Sequence, residues 1–257
     1  MKVTVCELPQ DWTSSRSIQK KLLNHLKKNH TDLLLLPEMP FYKWLSGSRT
    51  PDPLAWQAAV FAHDQWMERL IDFGVPMVAG TRPMLKNKKP LNVAFVWTRG
   101  KGVHYVHEKY YLPNEQGFWE SSWYDRGNGS FDLVEAKGIR IGFLICTEIW
   151  FTNHARKWSK EGVHILLCPR ATPSTSSSTW VAGGQSTAWI SGAFCLSSNF
   201  NGANTQTMDF GGTGWITEPD GGNVLGLTSG DSPFLTMEID LQVAEAAKKT
   251  YPRYVRE

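Results

Sequence analysis

LLLLPEMPF, residues 33–41, sets the reading of this chain. Four consecutive leucines ending at Pro37 describe a strand that is apolar throughout and so covered on both faces. Upstream, residues 3–8 read as a second strand. Ile18, Leu22 and Leu26 recur every four residues within 14–30, which predicts a helix with one apolar stripe. Downstream, a helix is expected over residues 53–72 and a strand over 76–80. Residues 91–98 and 103–107 then flank Arg99-Gly100-Lys101-Gly102 as two antiparallel strands flank a hairpin turn. Strands fit residues 131–135, 139–145 and 163–168, with a helix over 153–161 between the last two. A helix through Trp189 leads into a strand at 193–198. The remainder reads as glycine-punctuated β structure with a C-terminal helix near 241–249. Short apolar runs alternating with helical patterns define a layered α/β domain. With no linker-like segment in 257 residues, one domain over 1–257 is expected.

Composition narrows the function classes. Hydrophobic residues make up 41% and charged residues 20% of the chain, which suits a globular protein with a large core. The formal charge is +3 and the basic residues are scattered, so no nucleic-acid footprint is present; the run Lys86-Asn87-Lys88-Lys89 reads as a solvated loop. MKVTVCELP lacks the apolar stretch of a signal peptide, and no window of about 18 apolar residues occurs, so a cytoplasmic protein without membrane attachment is expected. Cysteines 6, 146, 168 and 195 form no CxxC pair and show no metal-ligand spacing, so free thiols, no metal and no cofactor are expected.

Chemistry concentrates where apolar strands end, because open α/β sheets place their ligands there. Glu38 leaves the leucine strand at a rim that water reaches only in part. Desolvation there suits a general base, although a surface Glu or helix cap is the commoner reading of an isolated residue. Cys146 follows Ile141-Gly142-Phe143-Leu144-Ile145 on a strand-to-turn corner. There its sulfur can face a pocket while the backbone N–H of Thr147 points at the same spot as an oxyanion donor. Free cysteines are usually inert core residues, and Cys6, Cys168 and Cys195 are read that way. Lys109 lies just beyond the alternating strand 103–107. Held among carboxylates, it would be a fixed positive charge; on its own it would be read as solvated.

In this order the three segments resemble those of the nitrilase, or carbon–nitrogen hydrolase, superfamily, whose members share a Glu–Lys–Cys triad. LLLLPEMPF matches the apolar strand followed by Pro-Glu, EKYYLPNEQGFWE (108–120) the Lys segment, and GFLICTEIWF (142–151) the strand, Cys and acid. Glu120, eleven residues beyond Lys109, stands where many relatives carry a second active-site Glu; Glu115 competes for that place. ILLCPRATP, SSNFNG, FGGTGWITEPDGGNVL and TMEIDL resemble later family segments, so nearly the whole chain is covered. The resemblance implies a four-layer αββα sandwich of two mixed β-sheets flanked by helices and a homodimer or higher homo-oligomer. It also implies hydrolysis of a small amide or N-carbamoyl compound by Cys146, with Glu38 as base, Lys109 and Thr147 N–H receiving the oxyanion, and Glu120 orienting Lys109 or the substrate. Nitrile hydrolysis is the nearest alternative, and a catalytically inactive binding or regulatory protein the alternative from another class. A papain-like enzyme would need a His base in a comparable segment, and a redox thiol protein a resolving cysteine.

Three departures stand out, and that at Arg170 bears on substrate. Relatives often carry Gln where this chain has Glu7, His where it has Tyr111, and a small polar residue where it has Arg170. Arg170 is expected either to hold a substrate carboxylate or carbamoyl oxygen, or to pair with Glu148. Tyr42, Trp119 and Trp150, with Trp44 and Trp123, are candidates for an aromatic wall suited to a small acyl group.

Overall fold

The computed structural model describes residues 1–204 and 208–255. In chain order its elements are β1 (Lys2–Pro9), α1 (Arg16–Asn29), β2 (Leu33–Leu35), α2 (Pro53–Arg69), β3 (Met77–Lys86), β4 (Lys89–Thr98) and β5 (Gly102–Glu108). Next come α3 (Glu120–Trp123), β6 (Val134–Ala136), β7 (Ile139–Phe143), α4 (Asn153–Lys160), β8 (Ile165–Pro169), α5 (Ser177–Ser191), β9 (Phe194–Asn204) and β10 (Met208–Gly211). The chain closes with β11 (Trp215–Thr217), β12 (Val224–Leu227), β13 (Phe234–Glu238) and α6 (Leu241–Ala247).

Local chemistry sets the helix ends. Ser15 caps α1 by accepting the Ile18 N–H, and Leu22 and Leu26 supply its buried stripe as the spacing predicts. Asp52 caps α2 through Leu54 N and Ala55 N, with Pro53 in the first turn where a missing N–H costs nothing. The expected helix over 53–72 finishes as a 3₁₀ turn from Leu70 to Phe73.

Hydrogen bonding runs without a break in the order β5-β4-β3-β2-β1-β9-β8-β7-β6. The link is β1, whose first half pairs with β2 and β13 while Glu7–Pro9 pair with Asn199–Asn201 of β9. The two expected sheets are thus two halves of one mixed network, folded face to face. Val3, Val5, Leu33, Leu35, Ala79 and Val96 from one half meet Ile141, Phe143, Ile165, Leu167 and Leu196 from the other in the central core. Leu34, Leu36 and Val78 turn outward against Leu22 and Leu26 of α1; Leu166, Cys168 and Cys195 turn outward against Trp158 of α4 and Ala188 of α5. Alternation along each strand therefore produces the αββα layering.

Several expectations shift in detail. The basic run 86–89 is solvated, as expected, with Asn87 and Lys88, both left-handed (φ 53° and 65°), forming the two-residue turn between β3 and β4. The strand expected over 131–135 survives only as β6, since Phe131 is drawn into the core beside Trp158. The reading of β structure beyond Ser198 includes residues 205–207, and the domain reading includes 256–257, all outside the described residues.

Strand direction positions the site. β1, β2 and β3 are mutually parallel, as are β7, β8 and β9, and β9 is parallel to β1. β5 reaches the same direction through two antiparallel steps, β3–β4 and β4–β5. Glu38, Lys109 and Cys146, which follow β2, β5 and β7, must therefore emerge at one end of the sandwich.

Candidate active site

Lys109 joins the charged groups of that end. Its Nζ donates to Glu38 Oε1 at 2.7 Å and to Glu120 Oε1 at 2.8 Å, and stands 2.6 Å from Glu120 Oε2; all three residues are fully buried. Burial alone would depress the ammonium's pKa, but Glu120 and Glu38 outweigh it and hold Lys109 charged, well above the ordinary lysine range. Glu120 is held above the carboxylate range by burial, against the pull of Lys109 and with a further push from Glu38. Asn92 Nδ2 donates to Glu38 Oε1 at 2.7 Å. Oε1 is thus doubly engaged, whereas the buried Glu38 Oε2 has no hydrogen-bond partner among the described residues.

Cys146 opens the 3₁₀ turn Cys146–Trp150 with φ +50°, a left-handed conformation that a side chain rarely adopts. Glu148 holds that turn. Its Oε2 accepts the Ile145 N–H at 2.8 Å, its Oε1 accepts the Tyr110 N–H at 2.8 Å, and His107 Nε2 lies 2.7 Å from Oε2. One buried carboxylate therefore ties the cysteine corner to the lysine segment. His107 also bonds the Ser130 carbonyl through Nδ1. Burial works against its charge, but Glu148 more than compensates and raises its pKa. The cysteine itself is 3% exposed. Burial, then Glu38, push its thiol up to about 12 against the opposing pull of Lys109, so the sulfur is protonated at rest. The Ala171 backbone N–H, hydrogen-bonded to it, pulls the other way.

A cavity of about 330 Å³ reaches Cys146 and Thr147, walled by Glu115, Phe118, Trp150 and Trp180 among others. Its size suits a small molecule. Trp150 packs against α5 because Gly183 leaves room: an added Cβ would stand 2.8 Å from the indole.

The other aromatic candidates lie elsewhere. Tyr42 and Trp119 join a separate cluster with Trp56 and Trp123, and Trp119 carries the Arg49 guanidinium 5.1 Å from its ring. Trp44 packs against Phe118 behind the cavity wall, its indole N–H on the Gly117 carbonyl.

Arg170 takes neither expected role. It is 1% exposed and is absent from the cavity wall; it donates to Ser197 Oγ, Thr172 Oγ1 and the Thr213 carbonyl, and stacks 4.1 Å from the Trp215 ring centroid. Glu148 is already committed to His107 and two backbone N–H groups. Neutral oxygens and a π face replace the carboxylate, and burial lowers the guanidinium's pKa to about 10. Glu7 braces the same loop from the other side, accepting the Thr213 N–H and the Thr228 hydroxyl, both at 2.8 Å.

Sequence reasoning missed Asn92, His107 and Glu148 as site supports. Asn92 left a visible signal, one amide inside the apolar run 91–97. His107 left none.

The family model for carbon-nitrogen hydrolases matches residues 2–249, and the chain belongs to that family. Among curated relatives, the chain is 24% identical over 228 residues to the 2-oxoglutaramate amidase of Bacillus subtilis (strain 168), covering 88% of this chain and 85% of that one. It is 29% identical over 146 residues to the glutamine-dependent NAD(+) synthetase of Xanthomonas campestris pv. campestris (strain 8004); the match takes in 55% of this chain but spans only 25% of the synthetase. A solved carbon-nitrogen hydrolase from Helicobacter pylori G27 superimposes with TM-score 0.86 at 20% identity, over 98% of this chain and 94% of that one, which establishes the shared fold.

Proposed function

We propose that this chain hydrolyses the carbon–nitrogen bond of a small amide or N-carbamoyl compound through a thioester on Cys146. The reading rests above all on one arrangement: a carboxylate with an unpartnered oxygen and a fixed ammonium beside a buried thiol that opens to a small cavity. A thiol pushed to about 12 supplies almost no thiolate at neutral pH, so deprotonation must accompany attack. Glu38 Oε2 takes the proton as sulfur bonds to the carbonyl carbon. Charge gathering on the carbonyl oxygen is met by Lys109 and the Thr147 N–H. The carbon–nitrogen bond then breaks as Glu38 returns the proton to the leaving nitrogen. Water, deprotonated by the same carboxylate, attacks the thioester, and the sulfur leaves with the proton. Glu120 acts as a positioning residue, holding Lys109 alongside Glu38.

A homodimer or higher homo-oligomer and a cytoplasmic location belong to the same proposal, drawn from the family resemblance; light scattering on the purified protein tests the first.

Ammonia release from matched panels of amides, N-carbamoyl compounds and nitriles tests the reaction. We expect turnover of the amide or N-carbamoyl panel, none by Cys146→Ala, and an iodoacetamide adduct on Cys146 in the wild type alone. Turnover surviving Cys146→Ala, or activity confined to nitriles, overturns the proposal.

A further inference from the structure

Among the described residues, the cavity wall carries a single formal charge. Glu115 is the one ionisable acid or base on it apart from the cysteine; the rest is aromatic, hydroxyl or aliphatic. Its place is fixed by the backbone. Glu115 and Phe118 exchange N–H···O bonds of 3.3 and 2.9 Å across a turn that needs Gly117 at φ +83°, and the Trp44 indole pins the Gly117 carbonyl from behind. Among the described residues Glu115 has no salt-bridge partner. Deeper in, Lys109 is already committed to Glu38 and Glu120 and offers no free cation. Arg170 offers no free cation either, because its guanidinium lies behind Trp180, 5.7 Å from that ring, and is spent on internal oxygens.

An anionic acyl group would therefore meet the Glu115 carboxylate and, among the described residues of the wall, no cation to pair with. A protonated amine would meet Glu115 and the exposed face of Trp150, the pairing that stabilises alkylammonium groups. Building on the reaction proposed above, we propose that Glu115 selects amides or N-carbamoyl compounds that carry an ammonium group at the end remote from the scissile bond, and disfavours those carrying a carboxylate there.

Three amides of similar length test this: γ-aminobutyramide, butyramide and succinamate. Binding to Cys146→Ala, read by calorimetry, should rank them cationic, neutral, anionic. Adding Glu115→Gln should shrink the cationic-to-neutral affinity ratio about fivefold, the scale of a partly solvated ion pair. An unchanged ratio, tightest binding by succinamate, or failure of all three to bind overturns the assignment. Ammonia release by the wild type is read separately. Charge-ranked binding without ammonia would sink the proposed reaction and leave the selectivity standing; ammonia without charge ranking would do the reverse. Should Cys146→Ala not fold, the same ratio is taken from kcat/KM of the wild type and of Glu115→Gln.

Discussion

Replacing Lys109 by methionine keeps its volume and removes its charge, and the structure sets the size of the consequence. Nζ lies 2.7 Å from Glu38 Oε1 and 2.6 Å from Glu120 Oε2, with all three side chains fully buried. At an effective dielectric constant of about 20, each contact corresponds to about 6 kcal/mol of Coulomb attraction, much of it offset by burying the ions. Removing one partner of such a set costs about 3–5 kcal/mol, because charge is left uncompensated. We therefore expect Lys109→Met to be inactive and also less stable by that amount, a sizeable share of a typical domain's stability. A second substitution separates electrostatics from packing. Lys109→Met with Glu120→Gln removes one orphaned carboxylate and should recover part of the loss, though none of the activity. Urea unfolding at about pH 8, followed by circular dichroism, measures both. Wild-type stability in Lys109→Met, or a double variant no more stable than the single one, would refute the view that Lys109 is held by charge.

Three further outcomes follow from the same site. His107 has its pKa raised, so the stability it contributes is full below its ordinary value of 6.5 and is lost as pH rises through the raised value. Denaturation midpoints of the wild type should therefore decline as pH rises from 6.5 through that raised value, and His107→Leu, although less stable, should lack that part of the slope; parallel slopes exclude the clamp. Gly183→Ala places a Cβ 2.8 Å from the Trp150 indole, which should cost about 1–3 kcal/mol and lower kcat/KM for small amides about tenfold, whereas normal kcat/KM would show that Trp150 does not shape the cavity. Asn92→Leu removes the amide donated to Glu38 Oε1 and should destabilise the protein by about 1.5–3 kcal/mol; an unchanged urea midpoint would show that Lys109 alone suffices to hold Glu38.

Local pattern carried the sequence reading a long way. The leucine strand, the Ile18-Leu22-Leu26 stripe and the hairpin around residues 99–102 are properties of neighbouring residues, and each reappears as β2, α1 and the β4–β5 pair. Family resemblance supplied the Lys109–Glu120 relation, which spacing alone left open between Glu115 and Glu120. The structure separates them: Glu120 is buried against Lys109 and Glu115 stands on the cavity wall. What stayed hidden depends on contacts between distant segments. Arg170 looked for a carboxylate and found the nearby Thr172 hydroxyl together with a hydroxyl, a carbonyl and a ring from the distant residues 197, 213 and 215. Trp119 sits within the lysine motif yet faces Arg49, because α3 begins at the next residue and turns the chain away.

The place of β1 in the network has a consequence for how the chain is made. Its pairing with β2 is close in sequence, but its partners around Asn199 and Met237 are laid down much later than β1 itself. During translation its buried residues Val5 and Leu8 lack their strand partners until the segments around Phe200 and Leu235 have left the ribosome. Pairing across such sequence distances is slow and exposes nascent chains to aggregation. Chaperone supply during expression should therefore govern the yield of native protein more strongly than the stability of the finished fold does.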